Sequence, residues 1–351
     1  MNAGESVRAL ALAPPRAGGT PAERVRLRVV PEDFRVEEEL GFAPSGSGAH
    51  LLLRVRKTDA NTAWVAQQLA RLAGCAPREI GYAGLKDRRA VAIQWFSVPL
   101  PRAAVGWPVD GPFAVLEAHA HSRKLPRGAL AGNRFAVRLR PGDADGARLA
   151  ASLAAPLARV AAHGVPNYFG PQRFGRDAAN LTRSDAQLRR LPPAERGLVL
   201  SAARSLVFNA VLAERVADGS WQRLEAGDLA NLDGRGSVFA VAEVDEALAA
   251  RCAALEIHPT GPLWGAGEPP TAHRVLALER RIGAELAAEG ARCAAAGMRQ
   301  ERRSLRLRVG ALACEPERDA VVLHFRLTRG GFATAVLREL IAEDPGGLSG
   351  A

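Results

Sequence analysis

One segment of the chain concentrates groups able to do covalent chemistry: Gly81-Tyr82-Ala83-Gly84-Leu85-Lys86-Asp87-Arg88-Arg89-Ala90-Val91, running on to Gln94-Trp95-Phe96-Ser97-Val98. An apolar lead-in over 79–83 breaks at Gly84 into a turn carrying four charges, and an apolar segment follows, which predicts a loop at a sheet edge. A carboxylate on such a loop can serve as a nucleophile or as a general base. Lys86, Arg88 and Arg89, adjacent to Asp87 in sequence, favour its ionised form and offer charge to phosphates. An ordinary charged turn in which Asp87 caps a helix has the same local look, so the reading depends on what the rest of the chain contains.

Other chemistries find little support. Cys75, Cys252, Cys293 and Cys314 are scattered without a C-x-x-C pair, which argues against a disulfide framework or a zinc ribbon, and they read as small apolar fillers. His119 and His121 form an H-x-H pair for which no third ligand can be picked out, so they read as structural. Gly46-Ser47-Gly48 lacks the third glycine and the helix of a dinucleotide site, and neither a Walker A pattern nor H-E-x-x-H occurs. Neither cofactor nor metal is expected.

Charge points to a class of partner. With 47 basic against 37 acidic residues the formal charge is +10, enough to attract polyanions at long range; nucleic acid is the first candidate, and a solvated basic surface the bland one. Only Lys57, Lys86 and Lys124 are lysines, and only Tyr82 and Tyr168 are tyrosines. In a chain so rich in arginine, a surviving lysine marks a place where a compact ammonium serves and a planar fork does not. Hydrophobic residues at 48% and charged ones at 24% are the balance of a soluble globular protein. No apolar run approaches a membrane span and 1–22 fails as a signal peptide, so the cytoplasm is the expected compartment, with no membrane partner.

The elements that must position Asp87 follow from periodicity. Between 24 and 140 the pattern is mostly period two: Val25, Leu27 and Val29 alternate with Arg24, Arg26 and Arg28, and Phe34 and Val36 with Arg35 and Glu37. Strands are also predicted at 51–55, 113–118 and 135–139. A helix opens at Asn61-Thr62, sets Trp64, Val65, Leu69 and Leu72 on one face, and ends at Gly74. Alanine-rich helices are predicted at 143–162 and 193–218, and a third helix or pair at 274–303. The glycine-rich segments 228–237 and 260–270 read as loops. Strand pattern returns at 305–309 and 320–327, before a last helix over 332–343. The expected fold class is α+β: a mixed, largely antiparallel sheet domain built from both ends of the chain (23–159 and 305–351), a mainly helical α/β insertion (160–304), and a flexible tail (1–22).

Further segments occur in a telling order. Pro31-Glu32-Asp33-Phe34-Arg35-Val36-Glu37-Glu38 is followed by Ser45-Gly46-Ser47-Gly48-Ala49-His50 and by 57–62, then by the segment at Asp87. Lys124-Leu125, Gly128-Ala129-Leu130 and Gly132-Asn133-Arg134-Phe135 come next, then Gly164-Val165-Pro166-Asn167-Tyr168-Phe169-Gly170 with Gln172-Arg173-Phe174-Gly175. Ser201-Ala202-Ala203-Arg204-Ser205, Phe208-Asn209, and Gly331-Phe332-Ala333-Thr334 with Arg338-Glu339-Leu340 complete the set. Over residues 24–343 the chain resembles the TruD family of transfer-RNA pseudouridine synthases, departing from its pattern at Pro171 and Ala92.

The resemblance implies a pseudouridine synthase catalytic domain with a TRUD-type insertion, acting on uridine at position 13 of certain transfer RNAs without cofactor; the sequence leaves the oligomeric state open, with monomer as the expectation. It implies that Asp87 attacks or deprotonates the target nucleoside, at the sugar or at the base, and that Arg28 on the first strand pairs with it. It makes Phe34 and Phe332 contacts of the flipped uracil, places Asn133 in a hydrogen bond near the nucleotide, and adds Lys86 and Tyr82 as substrate-binding residues. In the insertion, Asn167, Tyr168, Gln172, Arg173 and Phe174 form a packing or RNA-touching loop, with packing favoured for Phe169 and Phe174. Arg176, Arg189, Arg190, Arg302 and Arg303 are candidate phosphate contacts. The rival readings are a non-catalytic RNA-binding protein on the same scaffold and a basic scaffold that binds no RNA.

Overall fold

Strands that alternate apolar and charged residues need one buried face and one solvated face, and the computed structural model, which describes residues 3–101 and 104–343, builds such a sheet. In chain order the elements begin with α1 (Ala3–Leu12), β1 (Arg24–Arg26), β2 (Phe34–Leu40), β3 (His50–Thr58), α2 (Thr62–Ala73), β4 (Gly81–Tyr82), β5 (Val91–Pro99), β6 (Phe113–His121), β7 (Leu130–Pro141) and α3 (Gly146–His163). They continue with β8 (Val165–Pro166), α4 (Ala179–Thr182), α5 (Asp185–Arg190), α6 (Pro193–Ala217), β9 (Leu229–Leu232), β10 (Val238–Ala240), α7 (Glu246–Ala253), β11 (Ile257–Leu263), α8 (His273–Glu285) and α9 (Ala287–Ala295). The chain closes with β12 (Glu301–Ser304), β13 (Arg306–Leu307), β14 (Gly310–Pro316), β15 (Val321–Thr328), α10 (Ala333–Leu340) and β16 (Ala342–Glu343). Two units result: among the described residues, a sheet unit drawn from 22–157, 309–330 and 340–343, and a helical unit of 3–21, 158–308 and 331–339.

The sheet runs β14-β15-β7-β2-β5-β3-β6, with β1 and β16 beside β7 and β4 beside β5. The pairs β2–β5 and β1–β16 are parallel and the others antiparallel, so the sheet is mixed and draws strands from both ends of the chain. Register sets its two faces. Phe34, Val36 and Glu38 of β2 share a side with Asn133, Phe135 and Val137 of β7, with Ala92, Gln94 and Phe96 of β5, and with Leu53, Val55 and Lys57 of β3. Phe135 stacks on Phe325 with centroids 5.0 Å apart, and Leu53, Val55 and Phe96 pack with Val65 and Leu69 of α2. Each such burial contributes about 1.5–3 kcal/mol. On the opposite side Arg54 sits between Glu37 and Glu117, 2.5 Å from each. Helix α2 ends where Gly74 turns left-handed (φ 66°), a conformation that costs glycine least.

In the helical unit, α6 forms the centre and the antiparallel sheet β10-β9-β11-β12 accompanies it. By length and composition α6 would pass for a membrane-crossing helix, yet 72% of its most apolar window is buried in protein, which makes it a core helix. The segments expected as loops contain strand β9 and the second half of β11. Gly261 explains the misreading: a Cβ there would come within 2.6 Å of Leu305 and 3.2 Å of the Phe208 ring, so this glycine serves close packing in a strand rather than a turn. The polar run Glu301–Ser304 pairs with β11, which ends the helical stretch expected over 274–303 before its last residues.

The first residues are helical where a flexible tail was expected. Val7 and Ala11 enter the core around α6, and the Asn209 amide donates to the Ala11 carbonyl at 3.1 Å. The last helix stops at Leu340, and residues 331–339 group with the helical unit instead of the sheet. Phe332 joins the aromatic cluster there, while Arg338 donates to the Pro14 carbonyl at 2.7 Å. The outermost parts of the two expected end segments, 1–2 and 344–351, lie outside the described residues.

Candidate active site

Asp87 lies on the turn between β4 and β5, and side chains from four elements fasten that turn. Gln94 of β5 donates to the Gly84 carbonyl at 2.6 Å. The Thr62 hydroxyl of α2 accepts from the Lys86 amide at 3.1 Å and donates to Gln94 Oε1 at 3.1 Å. Lys57 of β3 donates to the carbonyl of Asp87 itself at 2.7 Å. From the turn, Lys86 reaches Glu38 of β2 at 2.6 Å, and Glu38 also accepts from the Trp95 amide at 3.0 Å. The backbone of the turn is thus hydrogen-bonded at Gly84, Lys86 and Asp87, which presents the carboxylate from a rigid support.

The carboxylate is half open to solvent, and Arg28 holds one of its oxygens, with Nη2 2.9 Å from Oδ2. The same guanidinium lies over the Phe34 ring, 4.1 Å from its centroid. Arg28 therefore connects Asp87 to Phe34, which is itself buried with its edge toward Phe135 at 6.0 Å. Arg28 was expected on the first strand. That strand stops at Arg26, and Arg28 takes a left-handed backbone (φ 53°) that a non-glycine residue adopts at a cost of about 1–3 kcal/mol. Local alternation in sequence cannot register such a turn.

The remaining expected residues divide. Asn133, opposite Glu38 on β7, is buried, and its side-chain oxygen has no hydrogen-bond partner among the described residues. Tyr82 is half-buried against Phe96, with the Arg127 guanidinium 4.1 Å from its ring centroid. The Lys86 ammonium, expected to face phosphate, is instead directed to the fully buried Glu38, with 10% of its own side chain exposed. Phe332 belongs to the helical unit, 6.1 Å from Phe169 and 5.9 Å from the Arg173 guanidinium. In that unit Phe169 and Phe174 are core residues, Arg302 binds Glu279 through two bonds of 2.8 and 2.9 Å, and Arg303 lies 4.3 Å over Phe169 and donates to Asn167 at 2.6 Å. Arg176, Arg189 and Arg190 are exposed. The His121 ring accepts from the Ser45 amide at 3.2 Å and stacks on Phe42, while His119 meets Glu117.

Replacing Lys86 by Met is expected to lower stability by about 3–5 kcal/mol, because it leaves Glu38 buried without its countercharge. Urea unfolding of the variant beside the double substitution Lys86→Met, Glu38→Gln measures it; equal loss in both would show that the pair does not matter.

A family profile described as tRNA pseudouridine synthase D (TruD) matches residues 17–182 and 178–340 of the chain. The chain belongs to the TruD family. Its TruD relatives include the tRNA pseudouridine synthase D of Methylococcus capsulatus, 48% identical over 344 residues and covering 95% of both chains. The protein of that name from Pseudomonas aeruginosa is 46% identical over 342 residues, again with 95% of each covered. A crystal structure titled as the putative tRNA pseudouridine synthase D (TruD) of Methanosarcina mazei superposes with a TM-score of 0.72 at 20% identity, covering 96% of this chain and 98% of that one, and so shares the TruD fold. Four residues around Asp87 escaped the reading of the sequence as site residues: Lys57, Glu38, Thr62 and Gln94. Lys57 carried a signal, as one of three lysines, whereas Thr62 and Gln94 carried none of their own.

Proposed function

We propose that this protein isomerises uridine to pseudouridine in transfer RNA, at position 13, with Asp87 as its catalytic carboxylate and with no cofactor. The observation that carries the reading is the Arg28 guanidinium, 2.9 Å from the Asp87 carboxylate and 4.1 Å from the Phe34 ring centroid. An acid and an aromatic residue joined by one guanidinium support a site for a single extruded nucleoside. Family membership supplies the reaction class.

The reaction breaks the bond from ribose C1' to uracil N1, turns the base, and rejoins it through C5; the C5 proton passes to solvent and N1 takes one up, so no atom is gained or lost overall. Arg28 engages Oδ2 of Asp87, which leaves Oδ1 for the nucleoside, at C1' or at the ring. The uridine must leave its stack, and a ring face returns about 1–3 kcal/mol of the lost stacking. Phe34 supplies such a face once the Arg28 guanidinium moves off its ring, and the Asn133 oxygen, unpartnered among the described residues, a polar contact. Asp87 is half exposed in the free protein, so the nucleoside itself excludes water from the carboxylate. For Phe332, Tyr82 and Lys86 a part in substrate binding rests on the resemblance. Exposed Arg176, Arg189 and Arg190 are suited to phosphates. The enzyme would work in the cytoplasm, without membrane or protein partner.

The test uses transfer RNA labelled with tritium at uridine C5, from which isomerisation releases the label. The wild type should release it, and site mapping should place the product at position 13. Binding without release would favour a non-catalytic RNA-binding protein instead. Phe34→Ala is expected to lower the rate by about 10- to 100-fold, the worth of one stacked base. A rate within about twofold of wild type would remove Phe34 from the site.

A further inference from the structure

We infer that Lys57 is a positioning residue of this reaction: its buried ammonium fixes the backbone of Asp87 and through it the aim of the carboxylate. The inference rests on the reading of Asp87 just given. Lys57 is next to last in β3 and opposite Ala92, so register turns it to the face that carries Phe34, Glu38 and Gln94. Its side chain has no exposure to solvent, and its ammonium donates to two backbone carbonyls, Asp87 at 2.7 Å and Ala60 at 2.8 Å.

A buried ammonium without a carboxylate in direct contact is costly, and two carbonyls only partly replace the water it has lost. What the cation accomplishes is a tie between the strand end, the start of the α2 segment, and the one residue whose carboxylate does chemistry. Asp87 is then held from two sides: Lys57 takes its carbonyl and Arg28 its carboxylate. Arginine cannot take over, since a planar fork with five donors does not fit a site offering two carbonyls. Complete burial also excludes contact between Lys57 and RNA, which separates its part from that of every phosphate-binding residue.

The charged groups that face the ammonium are the Asp87 and Asp59 carboxylates and the Lys86 ammonium. Burial acts most strongly and brings the Lys57 pKa down from 10.5 to about 8; Lys86 pushes the same way, and the two carboxylates oppose it. Above that pH the amine is neutral, its hydrogen bonds to the carbonyls weaken, and the attraction it exerts on the Asp87 carboxylate disappears. The clamp therefore loosens as the pH rises through about 8.

The experiment is single-turnover tritium release from uridine-labelled transfer RNA between about pH 6.5 and about pH 9.5, with wild type, Lys57→Met and Lys57→Arg, alongside filter-binding affinity and urea unfolding. The wild-type rate should fall above about pH 8 by about tenfold per pH unit. Lys57→Met should lose about 100-fold in rate at pH near 7, as a misaimed reactive group does, keep its affinity for transfer RNA, and show no such fall. Lys57→Arg should not restore the rate. A Met variant within about threefold of wild type overturns the inference, as does one that keeps the alkaline fall, or one whose loss lies in affinity. Should the Met variant fail to fold, the wild-type profile decides, and a level rate across the range overturns it. A wild type that forms no pseudouridine at any pH is a different result, which takes down the reading of Asp87 and the role of Lys57 together.

Discussion

Asp87→Asn is expected to bind transfer RNA as the wild type does and to lose at least about 1,000-fold in pseudouridine formation. The substitution keeps the shape of the side chain. The contacts that hold the turn go to backbone atoms of Gly84, Lys86 and Asp87, so the fold of the loop does not depend on the carboxylate charge. What changes is chemical: an amide can neither attack carbon nor take a proton, and Arg28 loses its ionic partner. Removing one negative charge from a surface that meets a polyanion does not weaken binding. Single-turnover rates and filter binding, measured on the same preparation, separate the two quantities. A rate within about tenfold of wild type would take the chemistry away from this residue.

A loss of stability as large as that at Lys86 is expected at a place remote in sequence from Asp87. Arg215 of α6 and Asp228 are both buried, joined at 2.5 and 3.1 Å, and the guanidinium also donates to the Ser220 hydroxyl, the Ser220 carbonyl and the Arg223 carbonyl. Asp228→Ala strands that cation in the core of the helical unit, at a cost of about 3–5 kcal/mol. The aspartate also accepts from the Glu225 amide at 2.8 Å, so the loop before β9 loosens as well. The double variant Arg215→Met, Asp228→Ala should recover most of the loss, because apolar groups replace a buried ion pair at little net cost. Urea unfolding gives both values. If the single variant costs less than about 1 kcal/mol, the pair is not desolvated as its geometry implies.

The three lysines show why a sparse residue type is informative. Lys57 meets two carbonyls, Lys86 meets Glu38, and Lys124 donates to the Arg78 carbonyl at 2.6 Å, so each places a single compact charge on one or two oxygens in the sheet unit. Composition flags such positions without naming their partners. The partner of Lys57 lies 30 residues away and is fixed by strand register, which a slip of one residue would reverse.

From sequence alone, the strands β2, β3, β6 and β7, the span of α2 and the exposed turn at Asp87 could be read, because alternation, capping and turn residues are local records of burial and backbone geometry. Four things depended on the tertiary structure. Arg28 leaves its strand for a left-handed turn, Gly261 sits inside a strand, α1 is ordered by α6, and Phe332 groups with the helical unit. Each is decided by contacts between segments far apart in the chain, and a pattern confined to neighbouring residues carries no trace of what will pack against it.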